Sequence, residues 1–238
     1  MAYKAEHIWR YGGIDVIYEP AVDGGGMNMT PPLIDFIQKR FGADRRFGTM
    51  FEWCAGPSFI GFGLLAEGMC DSLCIADINP NAIECVKKTI EANQLQDRVR
   101  AYVSNNLESV PQHEHFDLVV GNPPSFCAVN PAHPSYLHIK GDIRGNDPDW
   151  KIHRGFYSQI TPFLNPNALV LVLEVNLYDR EVLMLGCDVP FDIRPEEPQL
   201  VFAEMIRQGG LTHIENAAFD PGWGAPLTFW VQISQKRV

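Results

Sequence analysis

The segment with the clearest chemical potential is an Asn-Pro-Pro turn, Gly121-Asn122-Pro123-Pro124-Ser125, which directly follows an apolar run. Two consecutive prolines fix the backbone and remove two N–H donors, so that carbonyl acceptors point outward. The side-chain oxygen of Asn122 and the carbonyl of Pro123 can then hold both hydrogens of a planar –NH2 group. The nitrogen lone pair is thereby aimed at an electrophile. We therefore predict Asn122 and Pro123 as catalytic residues that hold an acceptor nitrogen, with a purely structural turn as the alternative.

A second segment, FEWCAGPSFIG at residues 51–61, joins an acidic residue at a strand end to a small-residue turn and a helix start. Small turn residues let the backbone approach a ligand closely, and a helix N-terminus favours groups that accept hydrogen bonds. We predict Glu52 and Gly56 as cofactor-binding residues on this basis. A plain connection between a strand and a helix would give a similar sequence.

Two further polar positions follow the next two predicted strands. Asp77 ends the strand after the small-residue turn, and its carboxylate can accept hydrogen bonds from both ribose hydroxyls of an adenosine. Asn105, within Ser104-Asn105-Asn106, follows the third strand, where a polar side chain can reach an adenine ring. Because ligands of open α/β sheets gather at the carboxyl ends of strands, these positions together favour an adenosine-containing cofactor.

The runs EWCAGPS, CIADINPNAI and FDLVVGNPPS, in this order, resemble class I S-adenosylmethionine (SAM) dependent methyltransferases that carry an Asn-Pro-Pro-aromatic motif. They are most similar to the release-factor glutamine methyltransferases and their relatives, and the similarity covers roughly residues 51–174. The resemblance implies SAM as cofactor and S-adenosylhomocysteine as product. It also implies a role for each predicted residue. Glu52 and Gly56 would lie at the methionine and ribose of SAM, and Asp77 at the ribose. Asn105 would lie near adenine, and Asn122 with Pro123 at the acceptor nitrogen.

The sequence departs from the family motif at four positions. Cys54 and Ser58 replace two motif glycines, and Asn105 stands where an aspartate is usual. Ser125 replaces the aromatic residue that stacks on the acceptor, and Phe126 is the candidate to take over the stacking. We predict Ser125 and Phe126 as substrate-binding residues. These departures leave the reaction class in place and the acceptor open.

Alternating strand and helix patterns from residue 49 onward predict the elements that position these segments. They indicate an α/β fold: a Rossmann-like, seven-stranded, mostly parallel sheet with helices on both faces and an antiparallel last strand. Strands are predicted at 49–54, 72–77, 99–103, 115–120, 168–174, 211–215 and 228–234. Helices are predicted at 30–40, 59–67, from Asn79-Pro80 onward, 151–164 and 198–208.

Two regions have less regular patterns. We assign residues 1–48 to an N-terminal extension or flap over the cofactor site, with Asp23-Gly24-Gly25-Gly26 as a hinge-like run or a simple surface turn, and residues 49–238 to the SAM-dependent methyltransferase domain. The stretch 125–150 is longer than most loops, and such loops tend to be functional. Its polar and aromatic residues are solvated side chains or part of the substrate pocket: His133, Tyr136, His138, Asp142, Arg144, Asp147 and Trp150. His153, at the start of the next helix, faces the site or caps the surface.

The bulk composition disfavours several other classes of protein. With 46% hydrophobic and 20% charged residues, the 238-residue chain is expected to fold as one large domain and not to be mainly disordered. The N-terminal residues lack the apolar stretch of a signal peptide, and the longest apolar run is too short to span a bilayer. The six cysteines form no CxxC pair, so we expect reduced thiols, a cytoplasmic location and no metal site.

The net charge of −10 and the lack of a basic stripe disfavour a nucleic-acid partner, because each phosphate contact depends on a cation. The leading hypothesis is a SAM-dependent N-methyltransferase that acts on an amide or amine nitrogen of a protein side chain or a small molecule. The alternatives are methylation of an exocyclic amine of a nucleic-acid base and a SAM-binding partner subunit without catalysis.

Overall fold

The computed structural model describes residues 6–125, 147–176, 198–222 and 228–236. Phe126 and five of the polar and aromatic loop positions (His133, Tyr136, His138, Asp142 and Arg144) lie outside the described residues. The described strands are β1 (His7–Tyr11), β2 (Ile14–Tyr18), β3 (Phe47–Trp53), β4 (Cys70–Asp77), β5 (Val99–Val103), β6 (Phe116–Gly121), β7 (Leu164–Asn176), β8 (Leu211–Phe219) and β9 (Thr228–Lys236). The described α-helices are α1 (Gly26–Phe41), α2 (Phe59–Ala66), α3 (Pro80–Ala92), α4 (Lys151–Gln159) and α5 (Pro198–Gln208).

Seven of these strands form one sheet in the order β5-β4-β3-β6-β7-β9-β8. The first five run parallel, and β9 is antiparallel to both of its neighbours. The central strands are apolar on both faces, as expected for parallel strands covered by helices on each side. This is the predicted Rossmann-like sheet with an antiparallel last strand, and that prediction is confirmed.

Alternate residues of the central strands face two separate cores. On one face, Met50 and its counterparts on neighbouring strands pack with α1, α2 and α3. On the other face, Phe51 and Trp53 pack with Phe156 of α4 and Phe202 of α5. Both cores consist of closely packed, buried side chains. The ends of the strands are therefore held rigidly between two layers of helices.

Helix α3 begins as the sequence predicts. Asn79 is the N-cap, its side chain accepts a hydrogen bond from the backbone N–H of Asn81 at 3.0 Å, and Pro80 is the first helical residue. The buried positions of α3 include Ile83, Val86 and Ile90, the predicted apolar face. The cap at the end of β4 thus fixes the point at which the chain leaves the sheet beside Asp77.

The predicted start of α1 at Thr30 is wrong. The helix begins at Gly26, and Thr30 is buried inside it, where its hydroxyl donates to the carbonyl of Gly26 at 2.7 Å. Pro31 and Pro32 therefore lie within the helix instead of at its first turn. Thr30 resembles a cap in sequence because a Ser or Thr before proline is the usual pattern for a helix start. Buried contacts on both sides of the prolines evidently outweigh the backbone hydrogen bonds that they remove.

The sequence reasoning also missed the hairpin of β1 and β2. Its two strands are joined by Gly12 and Gly13, both at positive φ, as a tight two-residue hairpin turn requires. The backbone N–H of Ile17 donates to the hydroxyl of Thr89 at 2.9 Å, which fastens the hairpin to α3. The inward side chains of β2 join the core on this face of the sheet. Within the described residues, no helix has both the length and the apolarity needed to cross a membrane.

Candidate active site

A cleft lies at the carboxyl ends of the parallel strands, where the sequence predicts a binding site. It encloses about 900 Å³ of non-protein space, its open mouth included. Each of β3, β4, β5 and β6 is followed by residues that line it. They include Cys54, Gly56, Asp77, Ile78, Ser104, Asn105, Asn106, Asn122 and Pro124. Part of the remaining wall comes from the segment before α1, where Asp23 and Gly24 face the cleft.

The turn after β3 keeps the backbone of a glycine-rich loop although two of its glycines are absent. Cys54, Gly56 and Ser58 have φ values of 52°, 53° and 65°, all in the left-handed region. Only glycine adopts this region without a steric cost, which is roughly 1–2 kcal/mol for other residues. The backbone shape of the motif is therefore retained at Cys54 and Ser58 in spite of strain, which indicates that the shape itself is required.

Glu52 lies beneath this turn and is buried. One carboxyl oxygen accepts the backbone N–H of Gly61 at 2.8 Å and contacts the hydroxyl of Ser58. Burial raises the pKa of Glu52 to about 8, against the smaller opposing effect of these hydrogen bonds. Glu52 also forms part of the cleft wall. Its first role is to fix the turn and the start of α2, and its predicted contact with a cofactor stays a prediction.

Asp77 connects the turns after β3 and β4. One of its carboxyl oxygens accepts the backbone N–H of Gly56 at 2.7 Å, and the other accepts the N–H of Asn79 at 2.8 Å. Burial raises the pKa of Asp77, although these two hydrogen bonds act in the opposite direction. Each oxygen keeps a second lone pair, so the half-buried carboxylate can still accept hydrogen bonds from the cleft.

The turn after β5 presents three polar residues to the cleft, and they differ in burial. Asn105, the predicted adenine-binding residue, is exposed, and its amide donates to Glu108 at 2.9 Å. Asn106 is buried with φ of 53°, and its side-chain oxygen accepts the indole N–H of Trp53 at 2.8 Å. Ser104 is buried and accepts the N–H of Ser109. All three residues line the cleft, so any of them could contact a ligand bound there.

The Asn-Pro-Pro turn follows β6 immediately beside the turn after β3. Gly121 pairs with Trp53 in the sheet, so Asn122 and Cys54 leave neighbouring strands at the same level. Asn122 and Pro124 line the cleft, whereas Pro123 is buried and does not. The carbonyl oxygen of Pro123 lies 3.2 Å from the hydroxyl of Ser125. The structure thus brings Asn122 to the predicted cofactor turn, and the catalytic role of Asn122 and Pro123 stays a prediction.

Behind this turn lies a buried ionic cluster that the sequence reasoning did not identify. His153 is fully buried, with Nδ1 at 2.6 Å from Asp147 and Nε2 at 2.7 Å from Glu174. Burial alone would lower the pKa of His153, but the charge of Glu174 and the hydrogen bonds of Asp147 and Glu174 outweigh it and raise the pKa to about 9. The suggestion that His153 caps the surface is therefore wrong, and Asp147, also fully buried, is not a solvated loop residue.

Residues 32–131 match the family model of the methyltransferase small domain. The chain is 32% identical over 127 residues to the release factor glutamine methyltransferase of Aquifex aeolicus, covering 50% of this chain and 43% of that protein. It is 23% identical over 146 residues to the ribosomal protein uL3 glutamine methyltransferase of Francisella tularensis, covering 60% of this chain and 46% of that protein. The chain thus spans less than half the length of both relatives.

The fold is similar to that of the 16S rRNA N2 G1207 methyltransferase of T. thermophilus in complex with AdoMet and guanosine. The TM-score is 0.57 at 16% identity, and the match covers 98% of this chain and 50% of that chain. At this identity the likeness concerns the fold alone. The family model thus matches residues 32–131, which is less than half of this chain, and the sheet order described above is that of a Rossmann-like fold.

Proposed function

We propose that this protein is a SAM-dependent methyltransferase whose acceptor is a nitrogen atom. The observation that carries the proposal is the pairing of Trp53 with Gly121, which sets the cofactor turn and the Asn-Pro-Pro turn side by side on adjacent strands. A ligand on the first turn and a group held by Asn122 then meet in one cleft. Such alignment of two reactants is the main requirement for a direct group transfer.

The charge of the cleft favours SAM over a phosphate-bearing nucleotide. Asp23 and Asp77 line it, and among its described lining residues there is no lysine or arginine. A sulfonium cation gains from nearby carboxylates, whereas a phosphate group is repelled by them. When bound, SAM supplies an electrophilic methyl group. In this arrangement Asp77 is positioned for the ribose hydroxyls, and the backbone of Gly56 approaches the ligand closely.

Asn122 and Pro123 would act on the acceptor. The Asn122 side-chain oxygen and the Pro123 carbonyl each accept one hydrogen of a planar –NH2 group, which leaves the lone pair directed toward the methyl group. These two hydrogen bonds strengthen as positive charge grows on the nitrogen, so they stabilise the transition state more than the ground state. Ser125 stands where the family motif has an aromatic residue, and it offers a hydroxyl in place of a ring that would stack on the acceptor.

We propose an amide or amine of a protein side chain or a small molecule as the acceptor. The curated relatives are named for glutamine, whose side chain ends in a planar amide. The solved neighbour is named for the N2 of a guanine, which is also a planar –NH2 group. The net charge of −10 favours the first class, since a nucleic-acid backbone is held by cations.

Calorimetric titration with SAM tests the cofactor half of the proposal. We expect the wild-type protein to bind SAM and Asp77→Ala to bind it more weakly by roughly 2–3 kcal/mol, through loss of charge-assisted hydrogen bonds. Asp71→Ala changes an exposed aspartate on the same strand and is the matched control. Absence of SAM binding to the wild type, or equal binding to Asp77→Ala, would contradict the assignment.

Substitution of Asn122 tests the acceptor half. Asn122→Ala should lower turnover by about two to three orders of magnitude, the usual effect of losing one preorganised polar contact, while SAM affinity stays within a few-fold. Asn122→Asp adds a negative charge near the cofactor and should bind SAM at least as tightly. Loss of SAM binding in Asn122→Ala would move this residue to the cofactor site. Unchanged turnover would make the turn purely structural.

The nucleic-acid alternative predicts a different result in a gel-shift assay. Under the favoured proposal, duplex DNA and RNA show negligible binding at physiological salt, because the protein lacks a basic stripe. Micromolar binding that weakens steeply with salt would instead favour methylation of a base amine.

A further inference from the structure

A series of polar contacts leads from the Asn-Pro-Pro turn into the protein interior. Ser125 lies at the first step: its hydroxyl reaches both the Pro123 carbonyl oxygen, at 3.2 Å, and the carboxyl group of Glu174, and its single proton is donated to one of these acceptors at a time. Glu174 then contacts His153, and His153 contacts Asp147. We refer to Ser125, Glu174, His153 and Asp147 as the buried relay.

The inner members of the relay are held firmly. Asp147 accepts the backbone N–H groups of Ile152 at 2.7 Å and His153 at 3.1 Å, so it caps the first turn of α4 as well as binding the imidazole. The imidazole ring stacks on Phe202 at 4.7 Å and meets Trp53 edge-on at 5.3 Å. With both ring nitrogens bound to carboxylates, His153 cannot turn. Glu174 is therefore held in place by His153.

The position of Glu174 in the sheet explains how it reaches the turn. It lies on β7, two residues beyond Val172, which pairs with Gly121 at the end of β6. The Pro123 carbonyl is likewise two residues beyond Gly121. Neighbouring strands lie about 4.8 Å apart, a distance that one serine hydroxyl can bridge.

We propose that Ser125 and Glu174 carry away the proton that the acceptor nitrogen loses during methyl transfer, with His153 and Asp147 as positioning residues for Glu174. This inference rests on the proposed function, since it concerns the hydrogen that the acceptor –NH2 group directs at the Pro123 carbonyl. A carbonyl oxygen accepts a hydrogen bond but is a poor base. The Ser125 hydroxyl beside it gives the proton a route to a carboxylate.

The nitrogen lone pair forms the new N–C bond while the C–S bond breaks. The electron pair of the C–S bond stays on sulfur, which becomes a neutral thioether. The nitrogen becomes positively charged, and one N–H bond breaks with its electrons returning to nitrogen. That proton passes to the Ser125 oxygen as the Ser125 hydroxyl proton passes to Glu174. After the product leaves, Glu174 returns the proton to solvent through Ser125.

The charges around Glu174 suit a proton acceptor. Burial raises its pKa, while the charge and hydrogen bond of His153 and the hydrogen bond from Ser125 act in the opposite direction. The titratable groups that face it are His153 and Asp147, with the Cys54 thiol and the Tyr157 hydroxyl near enough for their pKa values to be raised by its charge. Glu174 is thus a stronger base than a solvent-exposed glutamate.

Ser125→Ala is the central variant, with Ser125→Thr as a rescue and Ser158→Ala, an exposed serine of α4, as control. Labelled SAM is used with two probe acceptors, a glutamine-containing peptide and guanosine. We expect Ser125→Ala to lower kcat by about 10²-fold, as for loss of general acid–base catalysis, with KM and SAM affinity within a few-fold. Ser125→Thr should restore most of kcat. In the wild type, kcat should fall as the pH drops and Glu174 becomes protonated.

A second measurement does not depend on turnover. With ¹³C-labelled glutamate, the Glu174 carboxyl signal, assigned by its loss in Glu174→Gln, should titrate at higher pH in Ser125→Ala than in the wild type and be unchanged in Ser158→Ala. An identical Glu174 titration in Ser125→Ala, or wild-type kcat in that variant at every pH, overturns the inference. If the wild type methylates neither acceptor, the proposed acceptor class fails, and the carboxyl titration still decides whether Ser125 and Glu174 are connected.

Discussion

Replacing Glu52 by glutamine should make the stability of this protein much less sensitive to pH. The buried carboxyl group has its pKa raised from 4.5 to about 8, chiefly by burial, so the folded protein holds a proton that the unfolded chain releases. Because the folded-state pKa is the higher one, this contribution to stability is complete below about pH 4.5 and is lost as pH rises to about 8. Glutamine resembles the protonated carboxyl group in shape and does not ionise.

The expected size follows from proton linkage. Between the two pKa values the folded protein binds about one more proton than the unfolded chain, so the wild type loses about 1.4 kcal/mol per pH unit relative to Glu52→Gln. Across this window the difference reaches several kcal/mol. For a protein of this size each kcal/mol corresponds to roughly 2–4 °C in Tm, so the two proteins should diverge by about 10 °C near pH 8.

The assay is urea unfolding of the wild type and Glu52→Gln at several pH values from 5 to 8.5, with Tm measured in parallel. The difference between the two curves is informative because it removes the contribution of every other titrating group, including His153. Glu84→Gln, a change of an exposed glutamate on α3, is the matched control and should follow the wild type. Parallel curves for the wild type and Glu52→Gln would refute the reasoning and mean that Glu52 is ionised in the folded protein.

Two further predictions concern the same turn. At Cys54, where φ is 52°, the glycine variant of the protein should be more stable than the alanine variant by about 1 kcal/mol. At Cys85, inside α3, the alanine variant should be the more stable of the two. Urea unfolding of the four variants tests this, and a more stable alanine variant at Cys54 would contradict it. SAM should bind more tightly as pH rises from about 6 to 8, because its sulfonium cation favours ionised Glu52. Calorimetry should show a smaller rise in affinity for S-adenosylhomocysteine, and a smaller difference between the two ligands in Glu52→Gln. Equal pH dependence of the two affinities in the wild type would count against a sulfonium near Glu52.

The fold could be predicted from sequence wherever a local pattern decides the structure. The strand Val99–Val103 and the helix Pro198–Gln208 have the predicted bounds, and Asn79 caps α3 as expected. Local patterns failed where tertiary contacts decide. The start of α1 was placed at Thr30 because its sequence resembles a cap, but packing extends the helix back to Gly26.

Two other features were not predicted: the hairpin had a local sequence signal, and the buried contact of His153 had none. The hairpin of β1 and β2 was missed although Gly12-Gly13 between two short apolar runs is a recognised turn signal. Within the candidate site, the cleft brings together the turns that contain Glu52, Asp77 and Asn122, as the order of strand ends suggests. No spacing rule could pair His153 with Glu174, 21 residues apart and on different elements, because that contact depends on how α4 packs on the sheet.

The indole of Trp53 connects parts of the site that belong to different strands. It donates to Asn106 after β5, stacks on Phe156 of α4 at 4.0 Å, and covers Gly121, where an added Cβ would lie 2.7 Å from the ring. The turns after β3, β5 and β6 are therefore mounted on one rigid aromatic support. A shift at any one of them would be transmitted to the others through this ring. Substitutions in the residues above the cleft should therefore leave the spacing between the turns after β3 and β6 unchanged, because the core sets it.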